Sequence, residues 1–397
     1  MRLSAPFPVL FFASAAHGMH HILLTLYLTL VLIITGEWHL PYNQLIGLWT
    51  IGAMLVGVGA PVAGWLADRI GETKVLVLCF LGLGASGILC GLAQTPLQME
   101  GALALLGLSG SVYHPVGFSW VVKHARVRGR AIAVTGIAGS IGVALGPVTA
   151  AGLAQFAGWR VAFMIPGAIT IAIGLVLIGF YLAGRIVDRA DDHIPATHTP
   201  SRADMTRVFA VLSLTMTVSL ALYAAFGAAL PKLVQLSAIA RTSDFFMIGL
   251  IAGAIQLIGA SGQFAGAHLT DRGNAARAYA VIFVLLAALF PLLAASRGWG
   301  IAAIGILIVL LFESTAPIET LLLARYTPAR RRGMVFGIRY GLSAIGTPLG
   351  VWLVARFYNP QVHFTYLLIA LAIFAATAML AALFLPSDRR TIAVPAE

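Results

Sequence analysis

Apolar residues along this chain gather into twelve long runs separated by short polar connections. The runs lie at 7–35, 44–67, 75–94, 98–122, 131–157, 160–183, 206–230, 245–269, 277–296, 299–324, 333–357 and 363–385. A helix rises about 1.5 Å per residue, so roughly 20 apolar residues cross a ~30 Å hydrocarbon layer, and every run reaches that length. Within lipid a helix satisfies its own backbone N–H and C=O groups, so the pattern predicts an all-α integral membrane chain with twelve transmembrane helices. The connection at 184–204, GRIVDRADDHIPATHTPSRAD, stands apart because it is long, charged and Pro-containing. It reads as a linker, which predicts an N-terminal six-helix bundle over 1–184, a cytoplasmic linker over 185–204 and a C-terminal six-helix bundle over 205–397.

The halves repeat. Asp68-Arg69 after the second run recurs as Asp271-Arg272 after the eighth, 203 residues on, while Pro115 and Pro317 are 202 apart and Pro147 and Pro348 are 201 apart. Offsets this steady predict an internal duplication and hence two pseudo-symmetric bundles.

Composition agrees with the pattern: 60% of residues are hydrophobic and 10% charged, too few polar groups to cover a soluble domain of this size. The net charge of +11 could suggest a nucleic-acid partner. The basic residues instead sit in short loops between runs, 19 on the side that holds both termini and 5 on the other. That asymmetry is the positive-inside signal, which predicts a bacterial-type inner-membrane protein with both termini cytoplasmic and no nucleic-acid partner. The first run begins like a secretory signal but continues through Ile22 to Ile34, long enough to span, so a retained helix is expected. Cys79 and Cys90 lie eleven residues apart on one helix, about 16 Å, beyond disulfide reach.

Ionisable side chains well inside the runs, away from their ends, are few: His17, His20 and His21, then His114, then Glu313 and Glu319, then Arg339. A charge in lipid is costly unless it faces a cavity or a partner, so each marks a candidate site. His17, His20 and His21 project at about 0°, 300° and 40°, one arc of roughly 100°. Three imidazoles on one arc suit a proton relay, an anion site or a metal site. Glu313 sits midway along the tenth run, where a carboxyl can load and release a proton near neutral pH. Arg339 is an available cation for Glu313 or Glu319, and an ion pair that ties helices together is an equal reading for Glu319 and Arg339. No phosphate-binding glycine loop and no Cys/His metal spacing occur outside the runs, so an enzyme is not expected, nor a bound cofactor.

The loop after the second run reads Gly64-Trp-Leu-Ala-Asp68-Arg69-Ile-Gly71-Glu-Thr-Lys74. It resembles the signature loop of the major facilitator superfamily, and the twelve runs, the duplication and the central linker extend the resemblance over the whole chain. Gly64 is expected to let two helices approach, Asp68 to sit near a helix N-terminus, and Gly71 to permit a tight turn. In that family the loop latches the halves on the cytoplasmic side; Asp68, Arg69, Asp271 and Arg272 are the matching residues. Glu72 stands where the family pattern carries a basic residue, and the second copy lacks its first glycine.

The fifth run carries Gly142-Val-Ala-Leu-Gly146-Pro147-Val-Thr-Ala-Ala, similar to the glycine-proline motif of antiporters in the superfamily, with ordinary close helix packing as the alternative. Tyr113-His114-Pro115 in the fourth run resembles an element of the fosmidomycin-resistance branch, whose first helix has an Asp where this chain has His21. The family cavity is lined by spans one, four, seven and ten. Those spans here carry the three histidines of the first run, then His114, Tyr223 and Glu313. The resemblance implies proton-coupled efflux of a small polar or anionic compound by a monomer in the bilayer. A metal or metal-chelate carrier using His17, His20 and His21, and a non-transporting membrane receptor or scaffold, remain alternatives.

Overall fold

The computed structural model describes residues 5–188, 202–237, 239, 244–271, 275–327 and 341–386. In chain order its helices are α1 (Phe7–Trp38), α2 (Tyr42–Gly47), α3 (Trp49–Ile70), α4 (Glu72–Leu92), α5 (Pro96–Gly110), a π-helical turn (Tyr113–Gly117) and α6 (Phe118–His124). They continue with α7 (Arg128–Ala157), α8 (Trp159–Leu182), α9 (Arg202–Leu236), α10 (Phe245–Gly259), α11 (Gly262–Asp271), α12 (Ala275–Ala295) and α13 (Trp299–Tyr326). The last two are α14 (Ser343–Phe357) and α15 (Thr365–Ala382). Every predicted run falls on helix, although the eleventh is described only from residue 341. Among the described residues, ten helical stretches are long and apolar enough to cross a membrane by length and composition. The fourth run is divided by the π-helical turn that contains Pro115, whose ring removes a helical N–H, and the eighth is interrupted between α10 and α11. The linker sequence ends inside a helix, because α9 already begins at Arg202.

Local chemistry sets the helix ends. Thr95 caps α5 by accepting from the Gln98 N–H at 3.3 Å, while Gln98 Oε1 accepts the Gln94 N–H at 2.8 Å, a reciprocal capping pair. Asp244 caps α10 in the same way, accepting from Met247 N at 3.1 Å. Gly71 (φ 96°) and Gly158 (φ 85°) make the turns between α3 and α4 and between α7 and α8, a backbone region that side chains other than glycine seldom enter.

Helix pairing shows the duplication. α1 packs on α7 as α9 packs on α14; α4 on α8 as α12 on α15; α3 on α5 as α11 on α13. Across the halves, α3 meets α14 as α10 meets α7. Small residues make the approaches close: a Cβ on Gly142 would come 2.5 Å from the Gly18 carbonyl, and one on Gly346 would come 2.6 Å from the Thr217 carbonyl. Without a hydrophobic drive between helices in lipid, contact of this kind supplies much of the packing. Cys79 and Cys90 are buried and unpaired with each other, as their spacing requires.

Candidate functional site

A cavity of about 420 Å³ lies between the halves. One wall comes from α1, with His20, His21 and Thr29, joined by His114 of the π-helical turn and Pro147 of α7. The facing wall comes from α9 and α13, with Ser219, Tyr223, Glu313 and Glu319, joined by Gln256 of α10. Imidazoles therefore face carboxylates across a largely apolar space. Among the described residues, no Lys or Arg lines it.

Glu313 is half-buried in α13 and held at both oxygens. Tyr223 donates to Oε1 at 3.3 Å, and Gln263 donates to Oε2 at 2.8 Å. The same Gln263 nitrogen lies 3.2 Å from Ser140 Oγ on α7. An amide nitrogen carries two hydrogens, so it can serve Glu313 and Ser140 together. A residue of the second half is thus bonded at once to the candidate proton site and to the first half. Glu319 is buried, and the Tyr279 hydroxyl lies 2.9 Å from its Oε1 and 3.1 Å from Thr215 Oγ1. With one proton to give, Tyr279 donates to the carboxylate, the stronger acceptor.

The histidine arc divides. His20 and His21 line the cavity; His17 does not. His17 turns toward α7, where its Nδ1 lies 2.7 Å from the Thr135 carbonyl oxygen. Gly139 makes room, since a Cβ there would come 2.6 Å from that Nδ1. The 100° arc is wide enough to contain a helix-facing and a cavity-facing direction, and the helix angles could not separate them. A carbonyl only accepts, so His17 Nδ1 is the protonated nitrogen and Nε2 bears the lone pair. His21 Nε2, 3.2 Å from His17 Nε2, must then donate, which leaves the lone pair of neutral His21 on Nδ1. Tyr113 stacks on His17 with ring centroids 4.4 Å apart. The histidines that gather ligand atoms are His17, His21 and His114, one nitrogen from each lying within 4.8 Å of the others. His20 is outside that group; its Nδ1 is buried with no hydrogen-bond partner among the described residues, as are Thr29 Oγ1 and Gln256 Oε1.

The loop residues behave differently from their expectation. Asp68 is exposed, and the α4 N-terminus is occupied by Asp188, which accepts from Thr73 N at 3.1 Å and Thr73 Oγ1 at 2.6 Å. A linker carboxylate has taken the place expected for Asp68, because the chain returns past α4 after α8. A Cβ on Gly71 would collide with that carboxylate, so Gly71 provides space as well as a turn. Among the described residues, a Cβ on Gly64 would meet nothing within 4 Å, so the expected close approach is not found there. Arg69 lies over the Trp65 ring at 4.2 Å. Glu72 is buried against Lys123 at 3.1 Å and accepts from Ser119 at 2.5 Å, so it serves a contact within the first half. Gly142 and Gly146 are packing residues, facing Gly18 and Thr25 of α1. The side chain of Asp271, together with Arg272 and Arg339, lies outside the described residues.

Gln256, Gln263, Ser140 and Thr29 are absent from the sequence-derived set, whose candidate binding and coupling residues are all ionisable. A signal existed: two amides seven residues apart in the apolar eighth run fall on one helix face.

The chain matches the family model described as Major Facilitator Superfamily over residues 9–315. It is similar to the protein named, by inference, multidrug resistance protein MdtD of Klebsiella pneumoniae (strain 342), with 31% identity over 125 residues, 31% of this chain and 26% of that protein. It is also 29% identical over 127 residues to the multidrug resistance protein B homolog of Mycobacterium tuberculosis (strain ATCC 25618 / H37Rv), 31% of this chain and 24% of that one. The chain spans about a quarter of the length of the curated relatives it matches. In fold it is similar to the crystal structure of a bacterial homolog to the human lysosomal transporter Spinster, in an inward-facing and unoccupied conformation. That likeness has a TM-score of 0.72, covers 95% of this chain and 94% of that chain, and carries 16% identity.

Proposed function

This chain belongs to the Major Facilitator Superfamily, and from that premise we propose that it is a secondary transporter that exports a small compound in exchange for protons carried at Glu313. The observation that carries this reading is the hydrogen bond from Gln263 to Glu313, shared with Ser140 across the two halves. An ionised Glu313 accepts a charge-assisted bond from Gln263 and so favours the arrangement in which Gln263 also reaches Ser140. Protonation removes that charge, weakens the bond and frees Gln263 from its bridging position. The proton state of one carboxyl is thereby tied to the contact between halves, which is what alternating access requires. The proposed moving bodies are residues 1–184 and 205–397, in a monomer with both termini cytoplasmic.

The cavity suits a molecule of a few hundred Å³ with an apolar body and a few polar atoms, which His20 Nδ1, Thr29 Oγ1 and Gln256 Oε1 are placed to meet. Relatives named for multidrug resistance support efflux over the metal-carrier and scaffold alternatives. A panel of compounds screened by thermal stabilisation in detergent selects the ligand, since binding to the folded state raises the midpoint. Proteoliposomes loaded with that ligand should then move it in response to an imposed pH gradient. Binding without gradient-driven flux would contradict the transport reading.

A further inference from the structure

We propose that His17, His21 and His114 form a resident site for one divalent transition-metal ion on the N-terminal wall of the cavity. The three side chains each offer one ring nitrogen, and these nitrogens lie within 4.8 Å of one another. Two ligands about 2.0–2.1 Å from a tetrahedral zinc ion stand roughly 3.3 Å apart. His17 Nε2 and His21 Nε2 are already 3.2 Å apart. The His114 nitrogen lies within 4.8 Å of both, so the ion would draw it closer on binding.

The surroundings hold the first ligand as metal sites do. His17 donates Nδ1–H to the Thr135 carbonyl at 2.7 Å, which fixes the ring and directs the Nε2 lone pair at the proposed ion. Tyr113 covers one face of that ring, and Gly139 leaves the space the ring occupies. His114 projects from a π-helical turn, an irregularity often found at functional sites. His21 donates from Nε2 in the ion-free arrangement, so binding requires it to move that proton to Nδ1 through the cavity. The exchange of tautomer is balanced, with no net proton gained or lost by the neutral rings.

Three imidazoles and no carboxylate select a borderline ion such as Zn²⁺, Cu²⁺ or Ni²⁺ over Mg²⁺ or Ca²⁺. All three ligands come from one half, so the ion moves with that half instead of being released when the halves separate. His21 and His114 line the cavity, which leaves the fourth coordination position open to a donor atom from the cavity side.

The site is tested on the full-length protein, purified in detergent, freed of its affinity tag and stripped with a chelator. Titration with Co²⁺ should give one ion per chain with the strong visible absorption of four-coordinate cobalt. His21→Gln and His114→Gln should each weaken binding at least tenfold, while His20→Gln and Glu313→Gln leave it unchanged. Retention of binding in Glu313→Gln keeps this outcome separate from the transport reading. X-ray absorption of the wild-type zinc form should show three imidazole nitrogens near 2.0 Å, a readout independent of whether any variant folds. Sub-stoichiometric binding, six-coordinate oxygen ligation, or an equal loss in His20→Gln would overturn the proposal.

Discussion

Gln263 and Glu313 are joined by a 2.8 Å hydrogen bond between two helices of the second half, and the donor nitrogen is also within reach of Ser140 in the first. Gln263→Leu keeps the side-chain volume and removes both bonds. The expected result is at least tenfold slower gradient-driven transport with ligand exchange retained, measured as flux with and without an imposed pH difference. Ser140→Ala removes only the bond across the halves and should give a smaller change of the same kind. Equal driven flux in Gln263→Leu and wild type would show that the bridge carries no coupling.

A second prediction separates the glycines. Gly142→Ala places a methyl 2.5 Å from the Gly18 carbonyl and should lower stability by about 1–3 kcal/mol, since the backbones must part. The methyl of Gly64→Ala meets nothing within 4 Å among the described residues and should change stability by less than about 0.5 kcal/mol. Thermal midpoints in one detergent compare the two directly. A larger loss in Gly64→Ala than in Gly142→Ala would contradict the packing account.

The third prediction concerns the two carboxylates near the α4 N-terminus. Asp188→Ala removes the acceptor for Thr73 N and Thr73 Oγ1 and should cost about 0.5–2 kcal/mol, in the range of lost helix caps. Asp68→Asn, at an exposed position, should leave the thermal midpoint unchanged. Reversal of that order would mean that Asp68, and not Asp188, holds the α4 N-terminus.

Most of the fold was legible because lipid imposes it: run length sets the spans, loop charge sets the orientation expected, and the recurring Asp-Arg and Pro positions show the duplication. The helix pairing then follows from glycine placement, as Gly142 on Gly18 and Gly346 on Thr217 illustrate. The site was legible only in part. His20, His21, His114, Tyr223 and Glu313 reach the cavity because an ionisable or hydroxyl group in an apolar run has few other places to go. His17 was misplaced because facing a neighbouring helix and facing a cavity differ by less than the width of the arc. Gln263 was missed because a neutral amide leaves no charge for a sequence scan to find. Asp188 was missed because a linker's return path depends on tertiary packing.

Glu313 is the centre of the account, and its replacement tests it most directly. Glu313→Gln retains the shape and an acceptor oxygen but cannot exchange a proton. In proteoliposomes, the variant should bind the selected ligand and exchange it across the membrane at near wild-type rates. It should show no acceleration when a pH gradient is imposed. Gradient-driven transport at the wild-type rate in Glu313→Gln would place the coupling site elsewhere and contradict the account.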